Sequence, residues 1–201
     1  MKNWGRPLAD YVRVAKSIIY TTLHHFSFGS IGSSVFIFSP LQIDGAKNIF
    51  IENGVHIGYK TWLAALPQTG EASCKLEIGE GCSLGNFNHI YATHSIILGK
   101  RVLTADKVYI SDNLHEYRDI EVAIKDQPII QKKDVSIGDG AWLGENVCVI
   151  GASVGKHSVV GANSVVTKDI PDYCVAVGIP ARIIKRYDFD KKEWVKIDHN
   201  E

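Results

Sequence analysis

Aliphatic residues recur along most of this chain at an interval of six. Ile51, Ile57 and Leu63 open the series, Ile78, Leu84 and Ile90 continue it, and Leu98, Thr104 and Ile110 follow after a slip of two. Ile137, Leu143 and Val149 come next, and one residue is missing before Val154, Val160 and Val166. Four places beyond many of these stands a second small or aliphatic residue: Val55, Thr61, Cys82, Val102, Val108, Ala141, Val147, Ser158 and Ser164. Gly often follows the first, as at Gly58, Gly79, Gly85, Gly99, Gly138, Gly144, Gly155 and Gly161. A period of six fits neither a helix nor a simple alternating strand. It fits a short strand plus a turn, with one side chain inward per repeat and small residues at tight corners. Three such edges close a triangular coil, and stacked coils pair as parallel strands about 4.8 Å apart. A β-sandwich would show period-two alternation and hairpin turns instead.

Ahead of the repeat the spacing is helical. Leu8, Tyr11, Val12, Ala15, Ile18, Ile19, Leu23 and Phe26 mark one amphipathic helix over residues 8–26. A solenoid's first coil has an uncovered apolar end, and this helix is expected to cap it. Lys2, Arg6, Arg13 and Lys16 against Asp10 make the segment locally cationic, and docking on a membrane surface is the alternative. Two breaks interrupt the repeat. Residues 65–75, with Pro67 and Gly70, read as a surface excursion; residues 112–134 are too long for a corner and too polar for core. The expected organisation is a capping segment over 1–34, a solenoid over 35–186 with the loop 112–134 inserted, and an extension over 187–201.

Composition narrows the class. Lys plus Arg and Asp plus Glu both number 22, so no global basic field is available for a nucleic-acid backbone. With 45% hydrophobic and 22% charged residues, the chain is neither disordered nor collagen-like. Cys74, Cys82, Cys148 and Cys174 form no CxxC pair and are expected to be reduced and mostly buried. Neither a signal-like apolar run with a cleavage site nor a span of about 18 apolar residues is present, and a cytoplasmic location is expected.

The segment VSIGDGAWLGENVCVIGASVGKHSVVGANSVVTKDIPDYCVAVGIPARIIKR, Val135 to Arg186, resembles the terminal coils of the maltose, galactoside and polysaccharide O-acetyltransferases. These are hexapeptide-repeat acyltransferases, and the resemblance extends over about residues 35–185. It implies an all-β solenoid, the left-handed parallel β-helix, with acetyl-CoA as co-substrate and a homotrimer whose active sites lie between neighbouring subunits. The handedness comes from the resemblance alone. The run Val149–Val154 is one residue short of the repeat, which is expected to alter a corner.

Acyl transfer to a hydroxyl needs a base, and His titrates in the right range. His115 lies where a strand gives way to the long loop, in a segment similar to the family's D-x-x-H stretch that carries the catalytic base. A relative with DHNH has His at the place of Asn113, so only the second His survives here. Asp112 and Glu116 are the nearby carboxylates that could orient it. The resemblance further implies coenzyme contacts by Trp142, Gly144, Ala162, Thr167 and Lys168, with Arg182 and Lys185 at the phosphates. Lys at 185 keeps the charge of a family Arg and loses its bidentate fork. For the acceptor, the GNFNHIYATH segment suggests Asn86, Asn88 and His94, with Asn88 equally suited to bonding along the stack. His89 and His94, five apart, also resemble the HxxxxH of γ-class carbonic anhydrases, whose zinc would need His56 or His115 as a third ligand. The terminal motif argues against that, and no metal is expected.

The reading is therefore an acetyl-CoA-dependent O-acetyltransferase acting on a sugar hydroxyl in surface-polysaccharide biosynthesis. Its alternatives are N-acetylation of an amino sugar, a zinc protein of the carbonic anhydrase kind, and a non-catalytic scaffold.

Overall fold

The computed structural model describes residues 8–70 and 72–197. Short strands wind around a prism with three faces. In the order the chain meets them, the first face holds Ser30–Ile31, Ile49–Ile51, Lys75–Ile78, Ser95–Leu98 and Val135–Ile137. The second runs from Phe36–Ile37 through His56–Ile57, Ser83–Leu84, Leu103–Thr104, Trp142–Leu143 and Val159–Val160 to Cys174–Val177. The third holds Gln42–Asp44, Trp62–Ala65, His89–Ala92, Tyr109–Ser111, Cys148–Ile150 and Val165–Val166. Within these coils every pairing is parallel and joins a strand to its counterpart one turn on, as with Ile57↔Leu84 and Ile90↔Ile110.

The six-residue interval is the inward column of each face. Ile51, Ile78, Leu98 and Ile137 line the first, and Leu63, Ile90, Ile110, Val149 and Val166 the third, all buried. The residues four places on are buried too, and fill the corners. Where those are polar they are satisfied along the stack: the Thr61 hydroxyl donates to the Gly85 carbonyl at 3.2 Å, and the Ser164 hydroxyl accepts from the Gly178 N–H at 3.0 Å.

Glycine is required at the corners for a different reason than turn conformation. A Cβ on Gly58 would sit 2.3 Å from the Gly85 carbonyl oxygen of the next coil. The left-handed backbone falls two residues later, on Lys60, Phe87, Lys107, Asn146 and Asn163. Close approach of coils, rather than φ, excludes side chains at the first position.

The irregularities in the repeat mark built features. At the slip between Ile90 and Leu98, residues 93–95 turn around the buried Asp112 carboxylate. At the shortened coil, Gly151 has φ of +52°, its N–H donates to the Ser111 carbonyl at 2.8 Å, and the first face is reduced to a bridge at Val154. Residues 112–134 contain an antiparallel hairpin of Asn113–His115 and Ile129–Gln131. The C-terminal segment forms strands over its described residues. Arg182–Asp188 and Glu193–Lys196 return antiparallel and add two strands to the second face.

The helix spans Leu8–His24 and packs on Phe36–Ile37. Its orientation departs from the sequence expectation. Ser17 is buried, Tyr20 packs against the core and Arg13 lies over the Phe38 ring, whereas Tyr11, Val12, Ala15, Ile18, Ile19 and Leu23 are exposed. Among the described residues no helix is long and apolar enough to cross a membrane.

Candidate functional site

The catalytic candidate sits on the hairpin that leaves the end of the third face. His115 is exposed and lies opposite Ile129. Among the described residues its ring has no hydrogen-bond partner. Neither nearby carboxylate serves it. Asp112 is fully buried and accepts from the N–H groups of Thr93, His94 and Ser95 and from the Thr93 hydroxyl and Asn113 amide. Glu116 is clamped by the Arg118 guanidinium, whose Nε lies 2.9 Å from both carboxylate oxygens; that contact holds the carboxyl down at about 2. Asp112 therefore fixes the corner from which the hairpin springs.

Three further candidates share this edge. Thr167 and Lys168 are exposed at the corner that follows Val165–Val166, where Lys133 engages Asp169. His94 is half-exposed there, with Nδ1 2.6 Å from Asp134 Oδ1.

The remaining coenzyme candidates gather on the second face and its far corner. Trp142 is 47% exposed. In the sheet it is level with Val159, then Val175, then Lys185. Arg182 and Lys185 are three apart in a strand, which alone would put them on opposite sides. The register shift between Val175 and Ala176 leaves Ile184 unopposed, so Arg182 opposite Val177 and Lys185 opposite Val175 share the outer side with Trp142. Gly144 and Ala162 stack at the adjoining corner, where a Cβ on Gly144 would lie 2.7 Å from the Ala162 nitrogen. Packing between coils thus accounts for glycine at 144.

Two acceptor candidates are occupied by the fold. Asn88 is buried: its amide donates to the Thr104 hydroxyl at 2.5 Å and its carbonyl accepts from the Val108 N–H at 2.7 Å. It holds coils together and cannot reach an acceptor. Asn86 donates to both Asp106 carboxylate oxygens and accepts from the Tyr59 N–H at 2.9 Å, so its amide is engaged in the corner ladder.

The histidines weighed as a zinc set lie apart. His56 is on the second face against Phe36, and His89 stacks on Trp62 at 4.1 Å and 7°. Burial lowers the His89 pKa. That ring belongs to a feature the sequence reading missed: Trp62, His89 and Tyr109 are in register on the outside of the third face, with Tyr91 edge-on to the first two. The Trp62 indole donates to Asp44 at 2.8 Å and the Tyr91 hydroxyl to Gln68 at 2.6 Å. The signal was available, since each register residue directly precedes an inward aliphatic one. Among the thiols, burial pushes Cys74 up to about 12 and Cys82 to about 11, so neither supplies a thiolate nucleophile near neutral pH.

Comparison with known proteins follows the geometry. The family described as hexapeptide repeat of succinyl-transferase matches residues 134–168. Over 132 residues the chain is 42% identical to Probable acetyltransferase Rv3034c of Mycobacterium tuberculosis, covering 65% of this chain and 42% of that one. Over 124 residues it is 37% identical to WbbJ of Escherichia coli, provisionally named a lipopolysaccharide biosynthesis O-acetyl transferase, covering 58% and 63%. The chain thus spans less than two thirds of the length of these curated relatives. Among solved structures it is similar to a point mutant of AntD, an N-acyltransferase from Bacillus cereus, in complex with dTDP and coenzyme A. The TM-score is 0.71 at 19% identity, over 85% of this chain and 89% of that one. The prism is the left-handed parallel β-helix that the sequence resemblance implied.

Proposed function

For a chain that carries the hexapeptide repeat and the left-handed β-helix of the hexapeptide-repeat acetyltransferases, we propose a CoA-dependent O-acetyltransferase that acts on a sugar hydroxyl in surface-polysaccharide assembly. The observation that carries this reading is the bulge at Ile184, which sets Arg182 and Lys185 on the same side as Trp142. Three strand steps separate the backbones of Trp142 and Lys185 by about 14 Å, a span suited to a pantetheine arm leading to phosphates. Arg182 and Lys185 would meet the phosphates, and Trp142 would flank the arm.

His115 would accept the acceptor hydroxyl's proton as its oxygen attacks the acetyl carbonyl. The tetrahedral oxyanion would be held by a backbone N–H and collapse with loss of the CoA thiolate, passing the acetyl group directly to the sugar oxygen. In one copy His115, Lys168 and His94 occupy one edge of the prism, and Trp142, Ala162 and Arg182 belong to the second face and another edge. We therefore infer that a homotrimer completes each site, one copy giving the His115 edge and its neighbour the Trp142 face. The location expected from the sequence is the cytoplasm.

The coenzyme half would serve an amino-sugar acceptor as well as a hydroxyl one, so the acceptor has to be read directly. The deciding experiment is an acetyl-CoA assay against matched hydroxyl and amino sugars, free, nucleotide-linked and oligomeric. Acetyl ester on a hydroxyl acceptor is the expected product; amide formation alone would favour N-acetylation, and no CoA-dependent transfer to any acceptor would overturn both.

A further inference from the structure

The N-terminal helix is mounted inside out. Successive helical residues advance by about 100°, which sorts this one into two arcs. Val14, Ser17, Tyr20 and Thr21 lie on the arc that meets the prism, with Arg13 at its border over Phe38. This inner arc is polar enough that the Ser17 hydroxyl is buried with no side-chain partner among the described residues. The opposite arc gathers Tyr11, Val12, Ile18, Ile19 and Leu23, and Phe26 continues it beyond the helix end; Leu23 is 74% and Phe26 94% exposed. An amphipathic helix that buries its polar side against its own domain leaves its apolar side for something else.

Charge identifies what covers it. Between Asp10 at the start of the helix and Asp44 no carboxylate occurs, and the stretch contains the cations Arg13 and Lys16. Pairing of this stripe with its own copy would set those cations against one another with no acid in the stretch to answer them. A layer of anionic lipid headgroups answers them while the apolar arc enters the acyl boundary. An open cleft of about 600 Å³ between the helix end and the first coil, lined in part by Ile18, Phe26, Ile31 and Phe36, extends the same apolar surface. We propose that the outward arc of the Leu8–His24 helix docks the protein on an anionic phospholipid bilayer, Lys16 lying at the edge of the inserted stripe.

The test is co-sedimentation of the full chain with vesicles of phosphatidylcholine alone and of phosphatidylcholine with phosphatidylglycerol, alongside Ile19→Asp/Leu23→Asp and Lys16→Glu variants. Melting temperature and light-scattering mass are measured on the same samples. The wild type should pellet with the anionic vesicles only. The Ile19→Asp/Leu23→Asp variant should lose about tenfold or more in partitioning, with fold and mass unchanged, and Lys16→Glu should weaken binding and its salt dependence. Failure of the wild type to bind, or equal binding by the double variant, overturns the proposal. A fall in mass in the double variant also overturns it and assigns the stripe to a subunit contact.

Discussion

The buried carboxylate of Asp112 accepts the backbone N–H of Thr93 at 2.9 Å through Oδ1, and the same oxygen accepts the Thr93 hydroxyl at 3.0 Å. With the N–H groups of His94 and Ser95 also bound, this one side chain closes the two-residue slip of the repeat and anchors the start of the His115 hairpin. Asp112→Ala would leave three N–H groups without their acceptor. The expected loss is about 3 to 5 kcal/mol, read as a drop of roughly 10 °C in melting temperature. A loss under about 1 kcal/mol in denaturant titration would show that water replaces the carboxylate.

His115→Ala should lower acetyl transfer about 10² to 10⁴-fold and leave CoA affinity unchanged, because the imidazole is assigned to the proton and not to the coenzyme. Steady-state kinetics with calorimetric CoA titration separate the two. Unchanged turnover would move the base elsewhere, with His94 on the same edge the next candidate.

Removing Ile184 leaves Arg182 and Lys185 two apart in a regular strand, so both should stay on the outer side. CoA affinity is expected to survive that deletion and to fall in Arg182→Ala/Lys185→Ala, on the order of tenfold per lost phosphate contact. Trp142→Ala should weaken binding as well, through the arm rather than the phosphates, so its effect should persist with dephospho-CoA fragments. Unchanged affinity in Arg182→Ala/Lys185→Ala would move the phosphates elsewhere.

If neighbouring copies share each site, His115→Ala and Trp142→Ala chains refolded together should recover activity that neither has alone. Some interfaces then pair an intact His115 edge with an intact Trp142 face. Absence of recovery in a mixture shown by mass to contain both chains would place the whole site on one copy.

Burial against Trp62 and Tyr109 lowers the His89 pKa below its ordinary 6.5. The unfolded chain therefore takes up the proton first as pH falls. This contribution to stability is intact above about 6.5 and declines as pH drops below it, until the folded protein also protonates. Melting temperature should fall more between about pH 7.5 and 5.5 in the wild type than in His89→Phe. Parallel slopes would mean that the ring titrates freely.

The inward columns were legible because every coil repeats one local environment. Leu63, Ile90 and Ile110 each meet an aliphatic neighbour above and below, so spacing alone reveals their role. The site was legible in part. His115, Lys168, Arg182 and Trp142 are exposed on the prism, as candidates for contact should be. Asn88 stayed open between two roles because an amide in a hexapeptide is equally suited to a ligand and to the next coil, and burial tells them apart. Asp112 looked like a partner for His115 through closeness in sequence, yet its oxygens point back into the slip at residues 93–95.

The sequence by itself determined the prism, its corners and the places where the repeat fails, since a six-residue period is a local property written along the chain. Only the tertiary structure decided what those failures do. A bulge at Ile184 changes which side of a strand carries two cations, and the packing of one helix arc decides whether an apolar stripe caps the domain or faces outward. Both depend on contacts between segments far apart in sequence, whose register and facing are set by the assembled fold rather than by residue spacing.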